Sequence, residues 1–505
     1  MTNGKSTLGT YTFNDFITKK SKTMIGIDDM AFHVPKIFLS IKELAEKRKI
    51  EYAKMNKGLG LEAMGLADVH EDASTMAANA VKDLIEKNKL APYSIGRIYV
   101  GSESSTDGSK PIASYVLAML AEYYEKDHGE NAFLHTDAVD MTFACIAGVD
   151  ALLNTLDWIR ADDSRIGIVV CTDNAKYELR STGEYTQGAG AVAMLIKKAP
   201  RLLSIEEQVG VATVSEHDFF KPLRRLTRYQ LAAAVNGNAH NGSSDFSIPG
   251  ILSPEENHLD VHKIFPVFNG PYSNECYANR MKQAYAHFSR SKANHKLNDW
   301  DRIIFHLPYA FHGKRVFIEI FFEETNRNPE LKKQLLELDS KFYEHKSMKT
   351  VSQTHMYRQF VKEKIEKGQR ASSLVGNMYT GSIFLSLMSM LESELEAENN
   401  PGKMTIGFCS YGSGSKSKVF EGKLQNGWEK VVSGFRLFQT LAERKAIDFE
   451  TYENLHRDRL KRSVIQPKNE FFLKEISTSA DLYGKRIYKY AEKVKSGTPA
   501  LLHLK

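Results

Sequence analysis

The stretch DAVDMTFACIAGVDALLNTLDWI (137–159) passes from a strand pattern to a helix pattern around a single cysteine, Cys145. Residues Asn131 to Met141 read as a half-buried strand. From Gly148 onward the apolar residues Val149, Leu152, Leu153, Leu156 and Ile159 recur close to helical spacing. A cysteine at such a junction sits at the positive end of the helix dipole, among amide groups with no intrahelical partner, which favours thiolate over thiol. A thiolate there is a nucleophile for acyl groups, and the small neighbours Ala144, Ala147 and Gly148 let a substrate approach the backbone closely. On this stretch alone the other reading, an inert buried cysteine, stays open, because free cysteines are among the most buried residues.

The pattern around Cys145 is one unit of a longer rhythm. Upstream come the apolar strand in TMIGIDDMAFHVP, helical segments in IKELAEKRKIEYAKMNKGLG and STMAANAVKDLIEKN, and the strand RIYVGSES. Downstream come the strands RIGIVVCTD and VAMLI, and an alternating β and α order of this kind predicts an α/β architecture. Residues 1–22 read as an extension, 23–200 as a first half carrying Cys145, and 201–425 as a second half. Within the second half the Gly-, Asn- and Ser-rich stretch 223–262 reads as an inserted loop or lid. Residues 426–505 read as a helical appendage packed on the core.

Composition bounds the class. With 505 residues, 42% of them hydrophobic, the chain can bury more than one large core. The net charge of +6, from 68 basic and 62 acidic residues, is too small an imbalance to suggest a nucleic-acid or membrane-surface binder. Its four cysteines are scattered without CxxC spacing, so neither a disulfide framework nor a metal site is indicated, and a reducing cytoplasm fits. No apolar run approaches the roughly 20 residues needed to span a bilayer.

Several loops carry unusual residue sets. GSESSTDGSKP (101–111) is turn chemistry after a strand, and GFCSYGSGSKSK (407–418) places Ser410 and its neighbours where successive amides can form an anion nest or oxyanion donor. His306 ends the strand IIFHLPY before a proline turn, and Glu71 lies just upstream of a helix. Each of these also has a plain structural reading.

Taken together the segments resemble the hydroxymethylglutaryl-CoA synthase family of the thiolase superfamily. The resemblance rests on IGIDDMAFHVPK, EDASTMAANA, GSESSTDGSKP, FACIAGVDAL, CTDNAKY, STGEYTQGAGAVAMLI, HDFFKP, SNECY, IIFHLPY with GKR, GNMYTGSIFLSL and FCSYGSG, which run in order from about residue 24 to 422. It implies a thiolase-like five-layer αβαβα sandwich of two similar halves. It also implies condensation of acetyl-CoA with acetoacetyl-CoA to 3-hydroxy-3-methylglutaryl-CoA in the mevalonate pathway, without metal or redox cofactor, by a cytoplasmic homodimer.

By the same resemblance Cys145 is the acetyl-accepting nucleophile and Glu71 the general acid/base, a role that needs a carboxyl with a raised pKa. His306 binds the acetoacetyl carbonyl, with Asn377 beside it. Ser410 supplies an oxyanion-hole amide, Tyr177, Asp173 and Asp218 assist acetyl transfer and orientation, and Lys314 with Arg315 offers phosphate contacts. The chain departs from the family at Ile146, where a tyrosine is usual, and at Phe311, where a CoA-contacting lysine is usual. A condensing enzyme for substrates on an acyl carrier protein is therefore the alternative, with Lys221, Arg224, Arg225 and Arg228 as a basic docking patch.

Overall fold

Successive side chains of the strand Gly167–Ala175 belong to different apolar cores. Val169 and Cys171 pack with Met30, Met194 and Phe384, whereas Ile168 and Val170 pack with Val81, Ile98 and Leu195. A strand covered on both faces explains why GIVVC reads as a continuous apolar run. The same division recurs in the second half. Ile304 and Phe408 join the first of these cores, while Ile303, Phe305 and Tyr411 join a third core with Tyr277 and Phe317.

The computed structural model describes residues 24–236, 252–253, 255–293, 295–397 and 402–492. Its helices sort by the core they enter. Ala147–Ala161 and Ser382–Glu396 lie in the shared middle core. Ala73–Asn88 and Ile112–His128 cover the outer face of the first half, and Gly270–Ser291 with Ile318–Thr325 covers that of the second. The result is the expected thiolase-like α/β/α/β/α sandwich. The short strand Leu203–Ile205 joins the half-sheets, pairing with Ile25–His33 on one side and Lys416–Leu424 on the other.

Parallel pairing sets which loops meet. Arg97–Gly101 lies between Asp137–Met141 and Gly167–Ala175, parallel to both, with Gly101 opposite Met141 and Cys171. Glu103 and Cys145, which follow two of these strands, and Asp173, near the end of the third, therefore lie at the same edge of the sheet, where α/β folds bind ligands. In the other half Arg302–Phe305 runs parallel to Thr405–Gly412 with Phe305 opposite Cys409, which brings His306 and the 410–414 segment to one edge.

Several local expectations change. The strand before Cys145 covers only Asp137–Met141, and the helical segment after residue 40 is two helices, Ile41–Arg48 and Tyr52–Leu59, parted where Lys49 turns left-handed. The stretch 223–262 is not a plain loop: Leu223–Thr227 and His258–His262 form an antiparallel hairpin stem, with helix Arg228–Asn236 on its first arm. Residues 237–251 and the extension 1–22 lie outside the described residues. The C-terminal region is not wholly helical either. After short helices it forms the hairpin Glu470–Ile476 with Arg486–Ala491, whose Phe471 and Tyr488 complete the outer core beside Ala73–Asn88.

Candidate active site

Helix Ala147–Ala161 starts two residues after Cys145, and Ala144 just before the cysteine has a left-handed φ of 42°. That conformation is costly for a residue with a Cβ and is held by close packing around the turn. A Cβ on Gly148 would lie 2.3 Å from Cys171 Sγ, so only glycine allows the helix to meet the strand this closely. Gly412 is equally constrained. A Cβ there would lie 2.6 Å from the Phe143 carbonyl oxygen and 2.8 Å from the Ile146 nitrogen, so the 412–414 turn of the second half packs directly on the nucleophile turn of the first.

Cys145 Sγ donates to Glu103 Oε1 at 3.1 Å. Burial pushes the Glu103 carboxyl up to about 7, with Lys221 opposing the shift and Asp173 adding to it. Burial, then the Glu103 carboxylate, pushes the Cys145 thiol well up. The thiolate expected from the helix terminus is thus not the resting form. The first amides are already spent, Ile146 N on Phe143 O and Ala147 N on Ala144 O. Lys221 Nζ lies 3.9 Å from Glu103 Oε2, donates to the Glu103 carbonyl at 3.1 Å, and stands 4.7 Å from the Tyr379 ring centroid.

Cys145 opens into a cavity of about 330 Å³ that also takes in His306, Asn377, Tyr177 and Arg315. His306 Nδ1 is 2.5 Å from Ser382 Oγ, and burial, only partly offset by a hydrogen bond with the Tyr379 backbone, lowers its pKa to about 3, so the ring is neutral. Tyr277 donates to the His306 carbonyl at 2.8 Å and packs its ring between His306 and Tyr411. Asn377 Oδ1 accepts from Tyr379 N at 2.8 Å, and Tyr177 packs edge-on against Phe219 and Phe268. The arrangement combines a thiol and a neutral imidazole in one chamber, with a carboxyl balanced near neutrality bonded to the thiol. Such a set suits acyl transfer and proton abstraction beside a thioester.

Models of the hydroxymethylglutaryl-coenzyme A synthase N-terminal and C-terminal regions match residues 21–200 and 258–483. The chain belongs to the hydroxymethylglutaryl-CoA synthase family. The family's enzyme from Haloferax volcanii is 30% identical over 493 residues, covering 93% of this chain and 100% of that protein. That from Enterococcus faecalis is 28% identical over 444 residues, covering 88% of this chain and 94% of its own. A solved MvaS in complex with 3-hydroxy-3-methylglutaryl coenzyme A superposes with a TM-score of 0.73 at 24% identity, covering 93% of this chain and 100% of that one, a likeness of fold. This chain is accordingly an enzyme of the condensing, acyl-transferring type.

The structure corrects the assignment of Glu71 and places Ser410, Asp173, Asp218 and Lys314 outside the lining of the Cys145 cavity. Glu71 is not beside the nucleophile: Oε1 pairs with His33 Nε2 at 3.0 Å and Oε2 accepts from Asp68 N at 2.9 Å. Glu103 takes its place because it follows the strand that pairs with the one leading to Cys145. An acidic residue two positions past the end of a neighbouring parallel strand was the available signal. The Ser410 side chain faces the adjacent strand, donating to Lys418 O at 2.8 Å, and its carbonyl accepts from Ser417 Oγ; Ser413, beyond the strand, lines the cavity.

Asp173 and Asp218 are anchors outside the cavity wall. Asp173, 0% exposed, accepts from Glu103 N at 2.9 Å and Thr380 N at 2.9 Å, tying the Glu103 loop of one half to the Asn377–Thr380 loop of the other. Asp218 accepts from Tyr411 Oη at 2.7 Å and Gly414 N at 2.8 Å, fixing the turn that meets Cys145. Of the cationic pair, Arg315 lines the cavity. Lys314 Nζ instead stacks 3.2 Å from the Phe311 ring centroid and lines an adjoining cavity of about 600 Å³ with Lys57, Lys349, Arg358 and Lys362. Ile146 is buried in the middle core, away from the chamber.

Proposed function

We propose that the chain condenses acetyl-CoA with acetoacetyl-CoA and water to 3-hydroxy-3-methylglutaryl-CoA and CoA, as a cytoplasmic homodimer of the mevalonate pathway. The observation that carries the reading is the Cys145 thiol held on Glu103 in the chamber that also contains His306. Cys145 Sγ adds to the acetyl carbonyl, its proton passes to Glu103 and on to the departing CoA sulfur, and acetyl-Cys145 remains. Glu103 then removes a proton from the acetyl methyl. The carbanion attacks C3 of acetoacetyl-CoA while neutral His306 donates to the C3 oxygen, and Glu103 returns its proton to that oxygen as the alkoxide forms. Water then cleaves the Cys145 thioester, giving the free carboxylate and restoring the thiol. The steps balance without a metal or redox cofactor.

The basic cavity beside Arg315 supports CoA as the carrier, because its lysines and Arg358 face a site with Glu366 as the lone lining carboxylate among the described residues. The carrier-protein alternative rested on a basic patch that is largely spent. Lys221 turns in to Glu103, Arg225 pairs with Asp260 at 2.9 Å, and Arg228 donates to the Ser253 carbonyl at 2.8 Å. Intact-protein mass spectrometry after brief incubation with acetyl-CoA tests the reading. An acetyl adduct that needs Cys145 and disappears as product forms with acetoacetyl-CoA is expected. An adduct that persists with acetoacetyl-CoA but discharges onto a carrier-bound acceptor would favour the alternative.

A further inference from the structure

His312 opens the short helix His312–Val316, six residues after His306, and lines the same chamber. It is 1% exposed, and neither ring nitrogen has a hydrogen-bond partner among the described residues. Its ring centroid lies 4.5 Å from that of Tyr277 and 4.7 Å from that of Tyr309, so two aromatic rings hold the imidazole in place. Leaving such nitrogens unpaired in an apolar wall is costly, and buried polar groups of native proteins find partners. The ring is neutral, because burial and the nearby His306 and Arg315 hold its pKa well below the usual histidine range. It therefore presents one N–H donor and one bare nitrogen acceptor.

We infer that His312 is a substrate-binding residue that hydrogen-bonds an amide of the pantetheine arm shared by both thioester substrates. This rests on the proposed use of CoA thioesters. A secondary amide offers one acceptor and one donor, the complement of a neutral imidazole, whereas the phosphates need cations and the reacting ketone has His306. Place agrees with chemistry. Along one continuous segment, His306 shares the chamber with the nucleophile, His312 follows, and the exposed Arg315 borders both the chamber and the basic cavity. An arm threaded from the cationic cavity to Cys145 passes between the last and the first of these residues.

Calorimetric titration of CoA, and separately of adenosine 3′,5′-bisphosphate, which lacks the arm, into wild type, His312→Phe and His312→Asn tests this. His312→Phe keeps the ring and the packing on Tyr277. It is expected to weaken CoA about tenfold, the effect of one lost hydrogen bond, and to leave the bisphosphate unchanged. His312→Asn keeps a donor and an acceptor and should recover most of the loss. Unchanged CoA affinity in His312→Phe overturns the inference while leaving the proposed reaction standing. Equal weakening of both ligands also overturns it, since the effect would then lie in the cationic cavity. A wild type that binds no CoA removes both the inference and the proposed function.

Discussion

Glu103 holds the proton of Cys145 across 3.1 Å, although 42 residues separate them in the chain. The contact defines two acid–base partners at once, a thiol that needs a base and a carboxyl pushed up to about 7 so that it can both take and return a proton.

Glu103→Gln is expected to retain slow acetylation by acetyl-CoA while condensation falls about 1,000-fold, within the range for loss of a general acid/base. Glu71→Gln should leave both half-reactions near wild type, because its carboxylate serves His33 and Asp68. Rapid-quench measurement of adduct formation and decay separates the two steps. Condensation by Glu103→Gln at the wild-type rate removes Glu103 from the mechanism.

The pH profile follows from the same group. Glu103 must begin each condensation as carboxylate, so the rate should rise with pH through about 7 and level above it. Lys221 lowers the Glu103 pKa by its charge. Lys221→Met should therefore move the acid limb to higher pH, with the plateau reached later. Steady-state rates from pH 5 to 9 decide it, and an unmoved limb would show that Lys221 does not reach Glu103 electrostatically.

Gly412→Ala tests the contact between halves. A methyl 2.6 Å from the Phe143 carbonyl oxygen forces the 412–414 turn off the nucleophile turn. Acetylation is expected to slow at least tenfold, given how steeply rate falls with misplacement of reacting groups, with the fold retained by circular dichroism.

Glu470 ties the C-terminal hairpin to the core. Burial would raise its pKa, but His70, 3.7 Å away, and Lys36, which donates at 2.6 Å, prevail and hold it down to about 2 from an ordinary 4.5. A depressed carboxyl stabilises the fold above its unfolded pKa, and that contribution is lost as pH falls from about 4.5 toward 2. Glu470→Gln should cost roughly 1 to 3 kcal/mol at neutral pH and flatten the acid side of the stability curve. Denaturant melts at pH 7 and pH 3.5 measure both effects.

The sequence by itself determined the alternation of strands and helices, the turn that presents Cys145, the histidine at the end of Arg302–Phe305, and the family. Each is written in local periodicity or in a contiguous motif. It did not determine which carboxylate serves the thiol. Glu71 and Glu103 both stand near the ends of regular elements, and nothing local distinguishes them. Only strand order does so, since Arg97–Gly101 pairs in parallel with Asp137–Met141 and carries Glu103 to the edge where Cys145 emerges, while Glu71 is turned to His33. The Ser410 hydroxyl is spent on its neighbour strand for a related reason, since Thr405–Gly412 runs two residues past it, and Ser413, beyond the strand, is the serine that lines the cavity. Tertiary structure likewise turned Lys221 inward, made anchors of Asp173 and Asp218, and left the ring nitrogens of His312 without a hydrogen-bond partner among the described residues. Those outcomes depend on which elements pack together, and side-chain reach across a sheet edge is set by pairing rather than by distance along the chain.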